Sequence, residues 1–122
     1  MRDQLWVERV GDVIIARVRG MPTEALLREC QARVVQIARI ASGQTMQKVL
    51  YDTLEMEAPA VDVPLSQRGL DESLSDLHLR RAIVVPNTRL AYLARLAFGD
   101  GDYRVFYSDM TAAMAWLSIP LE

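Results

Sequence analysis

The side chains of this chain that could do chemistry stand just after its apolar runs. Asp52 and Thr53 follow one run, Asn87 and Arg89 a second and Ser108 a third, while Ser66 and Arg68 lie in the irregular stretch between the first two. Asp52, or an acid from that stretch, would serve an enzyme as acid or base. Thr53, Asn87, Arg89 and Ser108 would suit an anion or a small ligand if the fold gathers them at helix N-termini, whose free N–H groups favour negative charge. None of them sits in a catalytic signature: the chain has no GxSxG elbow, P-loop, GxGxxG or CxxC pair.

Metal chemistry is equally poorly served. One histidine and one cysteine make a zinc site only with carboxylate help, and the two lack ligand spacing. His78 precedes Arg80-Arg81 and reads as a surface or helix-end residue. Gly99-Asp100-Gly101-Asp102 resembles the start of a calcium loop, but counting from Asp100 places Arg104 and Thr111 where the pattern needs acids. A helix stop and a turn explain these residues. Glu55, Glu57, Asp62, Asp71, Glu72 and Asp76 crowd the middle of the chain. No spacing selects a catalytic pair among them, so they read as a solvated face or as a patch for a basic partner. The residues thus point to a non-enzymatic protein with no cofactor and no metal.

Composition sets the frame. A chain of 122 residues, 51% hydrophobic and 25% charged, is one globular domain. Runs such as Val13-Ile14-Ile15-Ala16 are too short to span a bilayer. Arg2 and Asp3 lead into no apolar signal core, and a lone cysteine forms no internal disulfide, so a cytoplasmic location is expected. A net charge of −2 argues against nucleic-acid binding. Arginine nearly replaces lysine, Lys48 being the single one, and this reads as a habit of composition.

The elements that must position the candidate residues follow from periodicity. Leu5–Val10 and Val13–Arg19 are strand-like and joined by Gly11-Asp12, a tight hairpin signal. In the second strand Ile14, Ala16 and Val18 share one face, and Val13, Ile15, Arg17 and Arg19 the other. Thr23 caps a helix running to about Ser42, with an apolar stripe of Leu26, Cys30, Val34, Ile37 and Ala41. Arg28, Gln31, Gln36 and Arg39 fall off the stripe, and Glu29 pairs with Arg33. Cys30 reads as a small buried hydrophobe. Lys48–Leu54 is a third strand, followed by a long loop from Glu55 to Gln67. A helix then carries Leu70, Leu74 and Leu77, capped by Ser66 or Asp71. Arg81–Pro86 is a fourth strand whose unbroken apolar run marks it as covered on both faces. Asn87 caps the next helix, with Leu90, Leu93, Ala94 and Ala97 inward. Tyr103–Tyr107 is a fifth strand, and Ser108 and Asp109 cap a last helix through Leu117.

The order β-β-α-β-α-β-α-β-α predicts a single α/β domain: a mixed sheet with parallel central strands and helices packed against it. Loops at the carboxyl ends of parallel strands cluster at one edge, where ligands bind. Here they begin at Asp52, Pro86 and Ser108.

This order, the strands Val49-Leu50-Tyr51-Asp52 and Arg81-Ala82-Ile83-Val84-Val85, and Phe106 followed by Ala112-Ala113-Met114-Ala115-Trp116-Leu117 resemble the STAS/SEC14-type, SpoIIAA-like family of small bacterial proteins. The resemblance covers essentially the whole chain, and Trp116 reads as a packing anchor. It implies a non-enzymatic role. Anti-sigma-factor antagonists of this fold carry an Asp-Ser-Ser/Thr-Gly-Leu segment whose serine is phosphorylated. Here Leu65-Ser66-Gln67-Arg68-Gly69-Leu70 keeps only the Gly-Leu, and Arg68 falls at the acceptor position. The resemblance therefore implies a regulatory or protein-interaction module lacking the usual phosphoacceptor, acting through the edge from Asp52 to Gly69. SEC14-type relatives imply the alternative, a carrier of a small apolar or anionic ligand. A hairpin edge strand also leaves homodimerisation open.

Overall fold

The computed structural model describes residues 4–40, 47–60, 79–98 and 103–119. Five strands, β1 (Leu5–Val10), β2 (Val13–Val18), β3 (Gln47–Asp52), β4 (Leu79–Val85) and β5 (Tyr103–Tyr107), form one sheet in chain order. β1 runs antiparallel to β2, and all later neighbours are parallel. Three helices join them among the described residues: α1 (Glu24–Ile40), α2 (Thr88–Phe98) and α3 (Met110–Leu117). The expected helix over Leu70–Leu77, the loop from Val61 to Gln67, His78, the helix stop at Ser42-Gly43 and the turn at Gly99–Asp102 lie outside the described residues.

Local chemistry sets the element ends. Gly11 takes φ 63° at the first central position of the hairpin while Asp12 keeps a negative φ, the sign pattern of a type II′ turn. Asp12 also accepts from Lys48 Nζ at 3.0 Å, and the ammonium holds this exposed carboxyl below the usual range. Thr23 Oγ1 accepts from Leu26 N at 3.0 Å, Asn87 Oδ1 from Leu90 N at 2.9 Å and Asp109 Oδ1 from Ala112 N at 2.9 Å. Each helix start thus has a side chain answering one of its orphan N–H groups. On the exposed side of α1, Arg28 pairs with Glu24 and Arg33 with Glu29 one turn apart. The expected strand Lys48–Leu54 instead ends at Asp52, beyond which Leu54 N turns back to Asp52 Oδ1 at 3.1 Å and Met56 N to Thr53 O at 3.1 Å. β4 begins two residues earlier than read, at Leu79.

The pleat divides the interior into two cores. On one face Ile14, Ala16 and Val18 of β2, Val49 and Tyr51 of β3, and Ile83 and Val85 of β4 pack under Cys30, Val34 and Ala38 of α1 and Leu90, Ala91 and Leu93 of α2. On the other, Val13, Leu50, Ala82 and Val84 meet Ala113 and Leu117 of α3. β4 is buried along its whole length, as its apolar run predicts, but so are Arg80 and Arg81 at its start. Arg80 lies 4.2 Å over the half-buried Trp116 ring and donates from Nη1 to Ile119 O at 2.7 Å. Arg81 lies 4.7 Å over Phe98 on the opposite face. Consecutive arginines thus each reach the last turn of a different helix, where the helix dipole favours a cation.

The second core is small, so its centre is sensitive. Leu117→Ala removes a fully buried side chain between α3 and the sheet. Its expected cost is about 2–5 kcal/mol, measured as a fall in the denaturant midpoint at unchanged m-value. A loss below about 1 kcal/mol would contradict this packing.

Candidate functional site

The expected carboxyl edge exists, and most of its polar groups are engaged with the protein itself. Asp52 is buried: its Oδ2 accepts from Arg17 Nε at 3.0 Å and its Oδ1 from Leu54 N at 3.1 Å. Arg17, partly exposed, also lies 5.4 Å over the Trp6 ring. The Thr53 hydroxyl donates to Val84 O at 2.7 Å, and the Asn87 carbonyl oxygen caps α2. Ser108 takes φ 52° and its N–H donates to Val85 O at 2.8 Å, so it closes β5 against β4, and Asp109 makes the side-chain cap. Arg89 is exposed on the first turn of α2. Ser66 and Arg68 lie outside the described residues, as do Asp62, Asp71, Glu72 and Asp76. The structure therefore gathers Asp52, Thr53, Asn87 and Ser108 at one sheet edge as stitching for strand ends and helix caps.

The concave feature lies beneath that edge. An apolar pocket of about 100 Å³ opens between α1, α2 and the sheet. Its floor is Val18 of β2, Tyr51 and Thr53 at the end of β3, and Ile83 and Val85 of β4. Leu27, Cys30 and Gln31 of α1 form one wall, and Leu90, Leu93, Ala94, Ala97 and Phe98 of α2 the other. Met56 and Pro59, from the segment after β3, complete it. Tyr51 and Phe98 pack ring to ring, with centroids 5.3 Å apart and planes tilted by 49°. No lysine, arginine, aspartate or glutamate is among the described residues that line it.

The polar groups of the lining are few and placed. Tyr51 Oη donates to Gln31 Oε1 at 3.0 Å, and both residues are buried. The periodic reading put Gln31 off the apolar stripe of α1; the structure turns it inward beside Cys30, Val34 and Ala38, because the Tyr51 hydroxyl meets its amide. Its spacing of four from Leu27, also in the wall, is the signal that points to it. Cys30 is buried as expected, and burial pushes its thiol up to about 12. Among the described residues no group of three or more metal-ligating side chains exists.

The hairpin, the parallel strands β2 to β5 and the helices on both faces define a small α/β domain of the SpoIIAA-like fold. No family model matches the chain, and no curated protein does. The crystal structure of an uncharacterised protein of the DUF3478 family with a SpoIIAA-like fold, from Shewanella loihica PV-4, superposes with a TM-score of 0.62 at 20% identity, over 93% of this chain and 91% of that one. At this identity the likeness concerns the fold alone, and it bears out the architecture read from the sequence. No helix among the described residues is long and apolar enough to cross a membrane.

A buried neutral thiol is a poor nucleophile, since the thiolate is the reactive form. Folded protein at pH 8 is expected to leave Cys30 unmodified by a disulfide-exchange reagent for hours, with full reaction after denaturation. Prompt reaction in the folded state would contradict the burial. The folded thiol holds its proton from the ordinary value of 9.0 up to about 12. Its contribution to stability is therefore complete below pH 9 and declines as pH rises from there toward 12. Cys30→Ala is expected to flatten this part of the stability–pH curve.

Proposed function

We propose that this chain is a non-enzymatic binding module that holds a small apolar ligand in the pocket between α1, α2 and the sheet. The observation that carries the reading is the pocket itself: about 100 Å³, uncharged among the described residues of its lining and placed at the carboxyl ends of β2, β3 and β4. Ligand sites favour this place in α/β sheets and this kind of lining. An engineered apolar cavity of about 150 Å³ takes up benzene, so the available space suits a ligand of about one ring. An anionic ligand at the edge is less well supported, because Thr53 and Asn87 spend their side chains on the backbone and Asp52 adds negative charge. The same pairing of Asp52 with Arg17 and Leu54 N favours a structural role for Asp52, one of the acids that an enzyme reading would use. A regulatory, protein-binding role would rest on the edge from Asp52 to Gly69, whose residues 61–69, Ser66 and Arg68 among them, lie outside the described residues, so the pocket takes precedence. A cytoplasmic setting fits a free, buried cysteine.

Titration with toluene tests the reading by methyl NMR. Saturable shifts are expected at Val18, Ile83, Val85, Leu90 and Leu93, with Leu117 on the other face unmoved. Ala94→Phe, which fills the pocket from α2, is expected to abolish the shifts while the protein still unfolds cooperatively. Unmoved pocket methyls at the solubility limit of toluene would sink the proposal.

A further inference from the structure

Apart from the pocket and from the edge between Asp52 and Gly69, we infer that the outer edge of β5, beside the exposed side of α2, docks an extended acidic segment of a protein partner. β5 pairs with β4 alone among the described strands, so its other edge is open. Ser108 N–H donates to Val85 O, and Val85 stands opposite Tyr107 in the register. In a parallel ladder this turns the N–H and C=O of Val105 and Tyr107 away from β4, where no described strand meets them. An extended peptide can bond to such groups as a further strand.

Charge and exposure choose the peptide. α2 and β5 carry Arg89, Arg95 and Arg104 and no aspartate or glutamate, although the whole chain has a net charge of −2. On α1, Arg28 and Arg33 each pair with an acid one turn away, whereas Arg89 and Arg95 pair with none among the described residues. Asp109 is spent on the cap of α3, and Asp100 and Asp102 lie outside the described residues. The exposed Tyr92 and Arg95 lie, in the helical period, opposite the stripe of α2 that lines the pocket. Since α1 packs over β1 and β2 and α2 over β4 and β5, that side is turned toward the outer edge. The open edge therefore has an arginine and an aromatic ring on each side. Arg95 stands with Tyr92 and the exposed Tyr107 on the side of α2, and Arg104 with Phe106 on the side of α3. A peptide alternating glutamate and valine finds an arginine for its acids and a ring for its valines in either orientation. A second copy is disfavoured here, because pairing two β5 strands would bring like-charged arginines to one seam. The opposite edge strand, β1, carries Glu8 and Arg9 together and has no such bias.

The test titrates the capped heptapeptide EVEVEVE into the intact chain by NMR, with KVKVKVK and a short oligothymidylate as controls. EVEVEVE is expected to bind saturably, to weaken as salt is added and to slow hydrogen exchange at the Val105 and Tyr107 amides. Arg95→Glu/Arg104→Glu is expected to weaken it about tenfold. Arg28→Glu/Arg33→Glu, the same charge change on α1, should alter it by less than about twofold. Thermal unfolding checks that both variants fold. Absence of saturable binding, binding that leaves both amides unprotected, or equal losses in the two variants would overturn the inference. So would KVKVKVK or oligothymidylate binding as tightly as EVEVEVE. Concentration-dependent protection of the same amides without peptide would assign the edge to a second copy and overturn it as well.

Discussion

β4 is buried on both faces over all seven residues, and the remaining elements are arranged around that constraint. A strand with no wet face must have a helix layer on each side and a partner on each edge. β3 and β5 supply the edges, α1 and α2 cover one face and α3 the other. The two arginines at its start make the arrangement specific. A buried guanidinium without a compensating surface is costly. Arg80 meets Trp116 and the carbonyl of Ile119, while Arg81 meets Phe98, so the ends of α3 and α2 are fixed where those charges need them. Sliding either helix along the sheet would uncover a cation.

Of the two anchored helices only α2 borders the pocket, whose other helical wall is α1, and Val85, the last residue of β4 at the carboxyl edge, lies in its floor. The polar residues of the same edge act as architecture. Asp52, Thr53, Asn87 and Ser108 fasten strand ends and helix starts, which lets the apolar space persist beneath them.

Much of this was legible in the sequence where the determining interaction is local. The caps Thr23 and Asn87 bond to N–H groups three residues away, and the alternation in β2 assigns its two faces correctly. What escaped depends on distant partners. Asp52 reads as a candidate acid at a strand end until Arg17, 35 residues earlier, is brought beside it in the register of β2 and β3. Gln31 reads as a solvated residue until Tyr51, 20 residues later, comes to meet it. A polar side chain is sent outward by periodicity unless a buried partner is known, and sequence spacing does not reveal that partner. The pocket is legible only in parts: Leu90, Leu93, Ala94 and Ala97 form the expected inner stripe of α2, but the gap between them and α1 depends on how far apart the helices sit.

The segments leaving β2 and β3 carry one more consequence. Gly20, held at φ 69°, donates to Glu55 O at 2.9 Å and accepts from Glu57 N at 2.8 Å, extending parallel pairing past both strands to Met56. The shape of this stretch is therefore written in main-chain atoms, while Glu55 and Glu57 are exposed and Met56, between them, lines the pocket. Such a margin tolerates drift: mutations at Met56 reshape the pocket wall while leaving in place the main-chain bonds that hold this stretch. An evolving lineage, or a protein engineer, would find there a dial for the shape of the pocket largely uncoupled from foldability.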